Sequence, residues 1–163
     1  MDTLHTLIKN IYEPAGMKIT TAPVAESESA EYGAYRLGLN GKNIVFRIAK
    51  TTPTKIGQFV TLWKRQNAGG IIMPLDTTDG IDLVVISVSD ATHQGQFVFD
   101  QKTLVEKGVM SCNGKGGKRA IRVYPLWTKP IAKDAIKTQQ WQLQHFLPIT
   151  NSTASDEIQR LFA

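Results

Sequence analysis

At 163 residues, with 42% hydrophobic side chains and a net charge of +5, the chain can bury one core and is too short for two ordinary domains. No apolar run approaches the roughly 18 residues a membrane span needs, and the early Asp2 with no apolar segment behind it argues against a secretory signal. The lone cysteine, Cys112, excludes an internal disulfide framework, so a cytoplasmic setting is expected.

Leu4, Leu7, Ile8 and Ile11 fall at helical spacing and predict a helix over about residues 2–12, with Asp2 as its cap and Glu13-Pro14 as its end. Thr21 to Glu28 is small, polar and acidic, and reads as loop. Glu31 to Leu39 reads as a strand, Asn40-Gly41 as a hairpin turn, and Lys42 to Ala49 as the partner strand. Ile44, Phe46 and Ile48 then share one face of that strand. Asn43, Val45, Arg47 and Ala49 share the other.

Thr52 and Pro53 suit the start of a helix, and Ile56, Phe59, Val60 and Trp63 follow at i, i+3, i+4 and i+7. A β-prone run from Phe59 to Trp63 competes with that reading, and Gly57 weakens it. Ile71 to Pro74 is a short extended piece. Ile81 to Ser87 is apolar throughout its centre and reads as a central strand, followed by another at Gln96 to Phe99.

Asp100 can cap a short helix that Gly108 ends. Asn113 to Arg119 is a loop rich in glycine and lysine, and Ala120 to Tyr124 is a strand. A helix is expected from about Ile131 to Phe146, with Ile136, Gln140 and Leu143 near one face. A last turn capped within Asn151 to Asp156 would dock Ile158, Leu161 and Phe162 on the body. Hairpins mixed with helices imply a single α+β domain over residues 1–148, with a mixed or antiparallel central sheet and packed helices, and a docked tail over 149–163.

Charge is arranged in two windows. Tyr32 to Leu75 carries seven basic side chains and no acidic one, and Lys107 to Lys133 carries seven more, again without an acid. Folded onto one face they would draw in phosphate. In the first window Arg47, Lys50 and Lys55 flank Thr51 and Thr52, and with the amides of the predicted helix they would seat an oxyanion. The competing reading pairs Arg47 with Glu31. In the second, Lys115, Lys118 and Arg119 surround three glycines, and Arg122 stands on a strand. The spacing is not that of a P-loop, since a strand follows the glycines. An ordinary hairpin turn is the plainer reading. Tyr124, Trp127 and Trp63 can stack on bases or simply pack.

No enzyme motif stands out. His5, His93 and His145 have no zinc spacing, and no serine sits in a nucleophile elbow. Glu31, Asp82 and Asp100, with Lys102 or Lys50, could supply the carboxylates and lysine of a metal-dependent nuclease or phosphodiesterase, a short and common pattern. Asp100 as a helix cap and Asp82 as a strand-edge acid are the ordinary readings. No cofactor and no metal are expected.

Several of these segments carry a family resemblance. Ile44-Val-Phe-Arg-Ile-Ala-Lys50, Thr52-Pro-Thr-Lys-Ile-Gly-Gln-Phe-Val-Thr-Leu-Trp63, Gly95-Gln-Phe-Val-Phe99, Leu104-Val-Glu-Lys-Gly108, Gly117-Lys-Arg-Ala-Ile-Arg-Val-Tyr-Pro125 and Lys137-Thr-Gln-Gln-Trp141 resemble the MepB-like family over about residues 28–147. The resemblance implies a small bacterial protein, in some cases encoded beside a multidrug efflux pump and its repressor, and a nucleic-acid-binding role. It does not imply a transporter. It also implies that the position of Asp100 is often proline, which weighs against a magnesium site on Asp100 and Lys102. The expected partner is nucleic acid, DNA or RNA, met by Arg47, Lys50, Lys55, Lys118, Arg119 and Arg122. The alternatives are a metal-dependent nuclease and a binder of a small phosphorylated nucleotide.

Overall fold

The structure is a computed structural model that describes residues 2–67 and 69–163. Helix α1 (Thr3–Leu7) starts where expected, with the Asp2 carboxylate accepting from the His5 amide at 3.0 Å. It continues through wider turns over Ile8–Tyr12, where the Glu13 amide reaches the Ile8 carbonyl at 2.9 Å. Leu4, Leu7, Ile8 and Tyr12 are buried.

The segment expected to be loop holds strand β1 (Ile19–Ala25), an edge strand paired only with the next. It is largely exposed, so it displays no apolar alternation. Pro23 falls within a break in register, between Thr21 and Val24, a position an edge strand tolerates. A single turn at Ala30–Tyr32 delays strand β2 to Tyr35–Leu39, later than the expected start at Glu31. Asn40 and Gly41, with φ of 52° and 78°, make the tight turn into β3 (Lys42–Ile48).

The helix expected after Thr52 is absent. Its place is taken by β4 (Lys50–Thr51), an irregular loop, β5 (Gln58–Thr61) and β6 (Trp63–Arg65). Gly57 takes φ of +87°, where a Cβ would lie 2.7 Å from the Tyr124 ring. A helix cannot pass through that conformation. The buried residues are Gln58, Val60 and Leu62, a period of two, and Ile56 is 44% exposed. The helical spacing of 56, 59, 60 and 63 was a coincidence of an alternating strand with its flank.

β7 (Ile72–Pro74) pairs with β6. β8 (Leu83–Ser89) and β9 (Gln94–Asp100) stand where the central strand and the one after it are expected and pair antiparallel, and Asp100 caps α2 (Gln101–Glu106) by accepting from the Thr103 amide at 2.7 Å. β10 (Ala120–Val123) follows. α3 (Lys133–Gln142) ends before the expected limit, and Phe146 belongs to a short strand, β11 (Phe146–Pro148). The inner face of α3 is also not the expected one. Ile136 is 39% exposed, whereas Gln142 is buried and bonds the backbone of β10. α4 (Ser155–Leu161) starts at Ala154 without a side-chain cap and buries Ile158, and Phe162 packs on the Tyr12 ring at 5.3 Å.

The main sheet has six strands in the order β1-β2-β3-β8-β9-β11, with β3 and β8 parallel and the other pairs antiparallel. The class is α+β with a mixed sheet. One face of the sheet packs on α1 and α4 through Phe46, Leu83, Val85 and Val98. The other packs through Val45, Val84, Ile86, Phe97 and Phe99 on α2, α3 and a second, three-stranded sheet in the order β10-β5-β4. Val60 and Val123 of that small sheet are fully buried. Each such side chain contributes about 1.5–3 kcal/mol by leaving water. That burial holds the small sheet with one face inward and leaves its other face outermost.

Candidate nucleic-acid interface

The outer face of the small sheet gathers side chains from both basic windows. Pairing aligns Lys50 of β4 with Phe59 of β5, and Phe59 with Arg122 of β10. Directly paired residues share a face. Lys50, Phe59 and Arg122 therefore form one row across two strand spacings, about 10 Å. The Arg122 guanidinium lies 5.7 Å from the Phe59 ring centre, and the Lys50 ammonium lies 4.9 Å from that of Tyr32. Tyr32 meets Phe59 edge to face at 6.2 Å.

Arg122 is held from the side. Its Nη2 donates to Thr52 Oγ1 at 2.6 Å, and its Nη1 points at the Gly57 and Ile56 carbonyls at 3.3 and 3.4 Å. The loop that replaces the expected helix thus offers oxygens to an arginine, not helix amides to a phosphate. Lys55 is exposed on the same loop. Lys50 is half exposed and lies 3.9 Å from the Glu31 carboxylate.

Lys118 and Arg119 lead into β10 with fixed backbones and exposed side chains. The Lys118 amide donates to Val109 at 2.9 Å, and the Arg119 carbonyl accepts from Leu62 at 2.8 Å. Arg119 has the opposite parity to Arg122 along the strand, so it belongs to the rim of this face.

Arg47 leaves the expected set. It is 1% exposed, on the face of β3 that packs against the small sheet. Its Nη1 donates to Glu26 at 2.9 Å and to the Phe46 carbonyl at 3.0 Å, and its Nε has no partner among the described residues. Burial pulls its pKa down, and the Glu26 carboxylate opposes that shift. Glu26, not Glu31, is the counter-ion, and it also accepts from Arg36 at 3.0 Å. Glu26 follows directly on β1, in the stretch that reads as loop, so nothing local announces the pair.

The glycine-rich loop is anchored. The Asp76 carboxylate accepts from Ser111 Oγ at 2.6 Å, the Gly114 amide at 2.8 Å, and the Thr78 amide and hydroxyl at 3.0 and 2.6 Å. Hydrogen bonds from Ser111, Thr78 and Gly114 hold its pKa well below the usual carboxylate range. Gly117 is packed so closely that a Cβ there would lie 2.7 Å from Pro74 and 2.9 Å from the Ser111 amide. Asp76 has no motif around it, and only the folded loop shows its role.

The expected aromatics fare unevenly. Trp127 stacks on His93 at 4.8 Å and meets Phe146 edge to face at 5.7 Å, as a packing residue. Trp63 lies under Arg65 at 5.3 Å. The rings on the basic face are Phe59 and Tyr32. The outward direction of Phe59 follows from the two-fold period of β5, which the helical reading concealed, and Tyr32 reaches it from the turn that precedes β2.

The carboxylates considered for a metal are split. Asp82 accepts from the Asn43 amide at 2.8 Å, and Asp100 caps α2, both at the end of the sheet where β3 begins. Glu31 stands with Lys50 beyond the other end of β3, roughly 20 Å away for a strand of this length. No group of three or more His, Cys, Asp or Glu suited to a metal occurs among the described residues.

Residues 26–148 match a family model described as MepB-like. The chain belongs to the MepB-like family. The match runs from Glu26, the partner of Arg47, to the end of β11, and so takes in the whole small sheet and its loops. A solved structure described as "Crystal Structure of MepB" is 33% identical, with a TM-score of 0.77 over 94% of this chain and 100% of that chain. No curated protein matches. No helix among the described residues is long and apolar enough to cross a membrane.

Proposed function

We propose that this MepB-like chain is a cytoplasmic nucleic-acid-binding protein that meets the phosphate backbone with the outer face of its small sheet. The observation that carries the reading is the row Lys50–Phe59–Arg122, which joins one basic window to the other across three strands. Lys55 and Lys118 extend the positive field, and Arg119 lies at its rim. Phe59 and Tyr32 offer ring faces and edges between the cations, where unpaired bases can stack. Arg122 is pre-positioned by Thr52 and so spends less rotamer entropy on a phosphate than a free lysine does. The exposed free thiol of Cys112 suits a reducing compartment.

Fluorescence anisotropy with single-stranded and duplex oligonucleotides at rising salt tests the proposal. Affinity is expected in the micromolar range at low salt and should fall steeply as salt rises. Replacing Lys50 or Arg122 with Gln should reduce the slope of log K against log salt by about 0.7–0.9 each, the loss of one phosphate contact. Absence of binding at low salt would end this reading. Cleavage of labelled DNA or RNA with magnesium or manganese, lost in Asp82→Asn, would replace it with the nuclease.

A further inference from the structure

A cavity of about 310 Å3 opens between the free edge of β10 and α3. Its floor is backbone. The Leu62 amide donates to the Arg119 carbonyl, and in an antiparallel pair this sets the alternation. Arg119, Ile121 and Val123 turn their amides and carbonyls toward β5, and Ala120 and Arg122 turn theirs away, toward α3. Gln142 closes the far part of that edge. Its Nε2 donates to the Arg122 carbonyl at 2.9 Å and its Oε1 accepts from the Tyr124 amide at 2.9 Å. Among the described residues no side chain does the same at Ala120. The Ala120 amide and carbonyl and the Arg122 amide are left facing the cavity.

The walls are charged and stiff. Lys107 and Lys118 stand on the cavity, and Asp134 lines it from α3. Trp141 is fixed against Phe99 at 5.3 Å and carries the Lys107 ammonium 5.6 Å from its ring centre.

We propose that this cavity binds one nucleoside monophosphate unit, with the phosphate on Lys107 and Lys118 and the edge of the base on the open backbone groups of Ala120 and Arg122. The volume lies at the lower end of the range for ligand sites, about 300–1,000 Å3. An inorganic anion would use the lysines and leave the strand edge and Trp141 idle. An added peptide strand would need a longer open edge and no cations. A base presents donors and acceptors side by side, as a strand edge does. The Asp134 carboxylate can accept from a ribose hydroxyl and opposes a second or third phosphate, which selects the monophosphate. The site deepens the nucleic-acid reading and shares Lys118 and the Arg122 backbone with it, but Lys107, Thr138 and Trp141 belong to the cavity alone and Lys50 and Phe59 to the outer face alone, so the two can fail separately.

The test titrates the full chain with the four common nucleoside 5′-monophosphates, with adenosine and inorganic phosphate as controls, followed by amide NMR. Saturable shifts are expected at Ala120 and Arg122, with affinity at least about tenfold above either control. Thr138→Phe fills the cavity from α3 without changing charge and should weaken that affinity by about tenfold or more, while the salt slope for long oligonucleotides stays unchanged. Lys107→Gln should weaken the monophosphates and leave adenosine unaffected, and it stands in if the bulkier variant does not fold. A 5′-phosphorylated dinucleotide separates the sources. Shifts at the same amides identify the end of a strand as ligand, and its exclusion identifies the free nucleotide; either supports the site. No shift at those amides up to about 10 mM, the weakest affinity that would count as binding, overturns it, as does undiminished affinity in both variants. Loss of oligonucleotide binding in Lys50→Gln with monophosphate binding retained would leave this site standing.

Discussion

Glu26→Ala is expected to be among the more damaging single substitutions outside the apolar core. It removes the counter-ion of Arg47, whose side chain is 1% exposed and keeps only the Phe46 carbonyl as partner. Breaking a buried ion pair in this way costs about 3–5 kcal/mol. Glu26 itself is 19% exposed, so partial screening argues for the lower end, about 3 kcal/mol. In a chain of this size that lowers the melting temperature by roughly 6–12 °C.

The double variant Glu26→Ala with Arg47→Met should recover much of the loss, because it removes the stranded charge together with the orphaned Nε and fills the site with an apolar chain. It also leaves net charge unchanged. Its salt slope for oligonucleotide binding should therefore equal that of the native chain. Thermal denaturation of the single and double variants, with anisotropy on the double, decides the matter. A single variant within about 2 °C of native, or a shallower slope in the double variant, would refute the assignment of Arg47 to the interior.

Phe59→Ala should weaken single-stranded binding by about 1–3 kcal/mol, the worth of one stacked base, while Trp127→Ala should leave it unchanged; anisotropy at one salt concentration reads both. The Asp76 carboxylate is held ionised in the fold, so its contribution to stability is complete above the ordinary aspartate pKa near 4 and is lost as pH falls toward its lowered folded value. A melting-temperature profile over that acid range should flatten in Asp76→Asn, and hydrogen exchange at the Gly114 amide should accelerate at neutral pH. Gly117→Ala should cost about 1–2 kcal/mol for its left-handed backbone alone, with φ of +89°, and more as the new Cβ presses on the Ser111 amide; chemical denaturation measures it.

Features written within a few residues were legible in the sequence. The Asn40-Gly41 turn, the Asp2 and Asp100 caps, the apolar run of β8 and the end of α2 at Gly108 each depend on local backbone chemistry, and each stands in the structure. The docking of Ile158 and Phe162 follows from apolar residues on a short amphipathic turn. The two acid-free basic windows are likewise a property of the chain itself.

What the tertiary structure decided is which of those cations meet. β1 is an edge strand with almost no buried face, so only its partner reveals it. Residues 52–63 satisfy a helical spacing and a strand alternation together, and the burial of Val60 against the main sheet, with Gly57 at positive φ, selects the strand. That choice creates the small sheet, aligns Lys50 with Arg122 through Phe59, and leaves the β10 edge open beside α3. Arg47 shares a strand and a charge with its neighbours, and nothing within reach along the chain marks it as different. It is buried because its face of β3 is covered by the small sheet and because Glu26, 21 residues earlier, is brought to it by the fold.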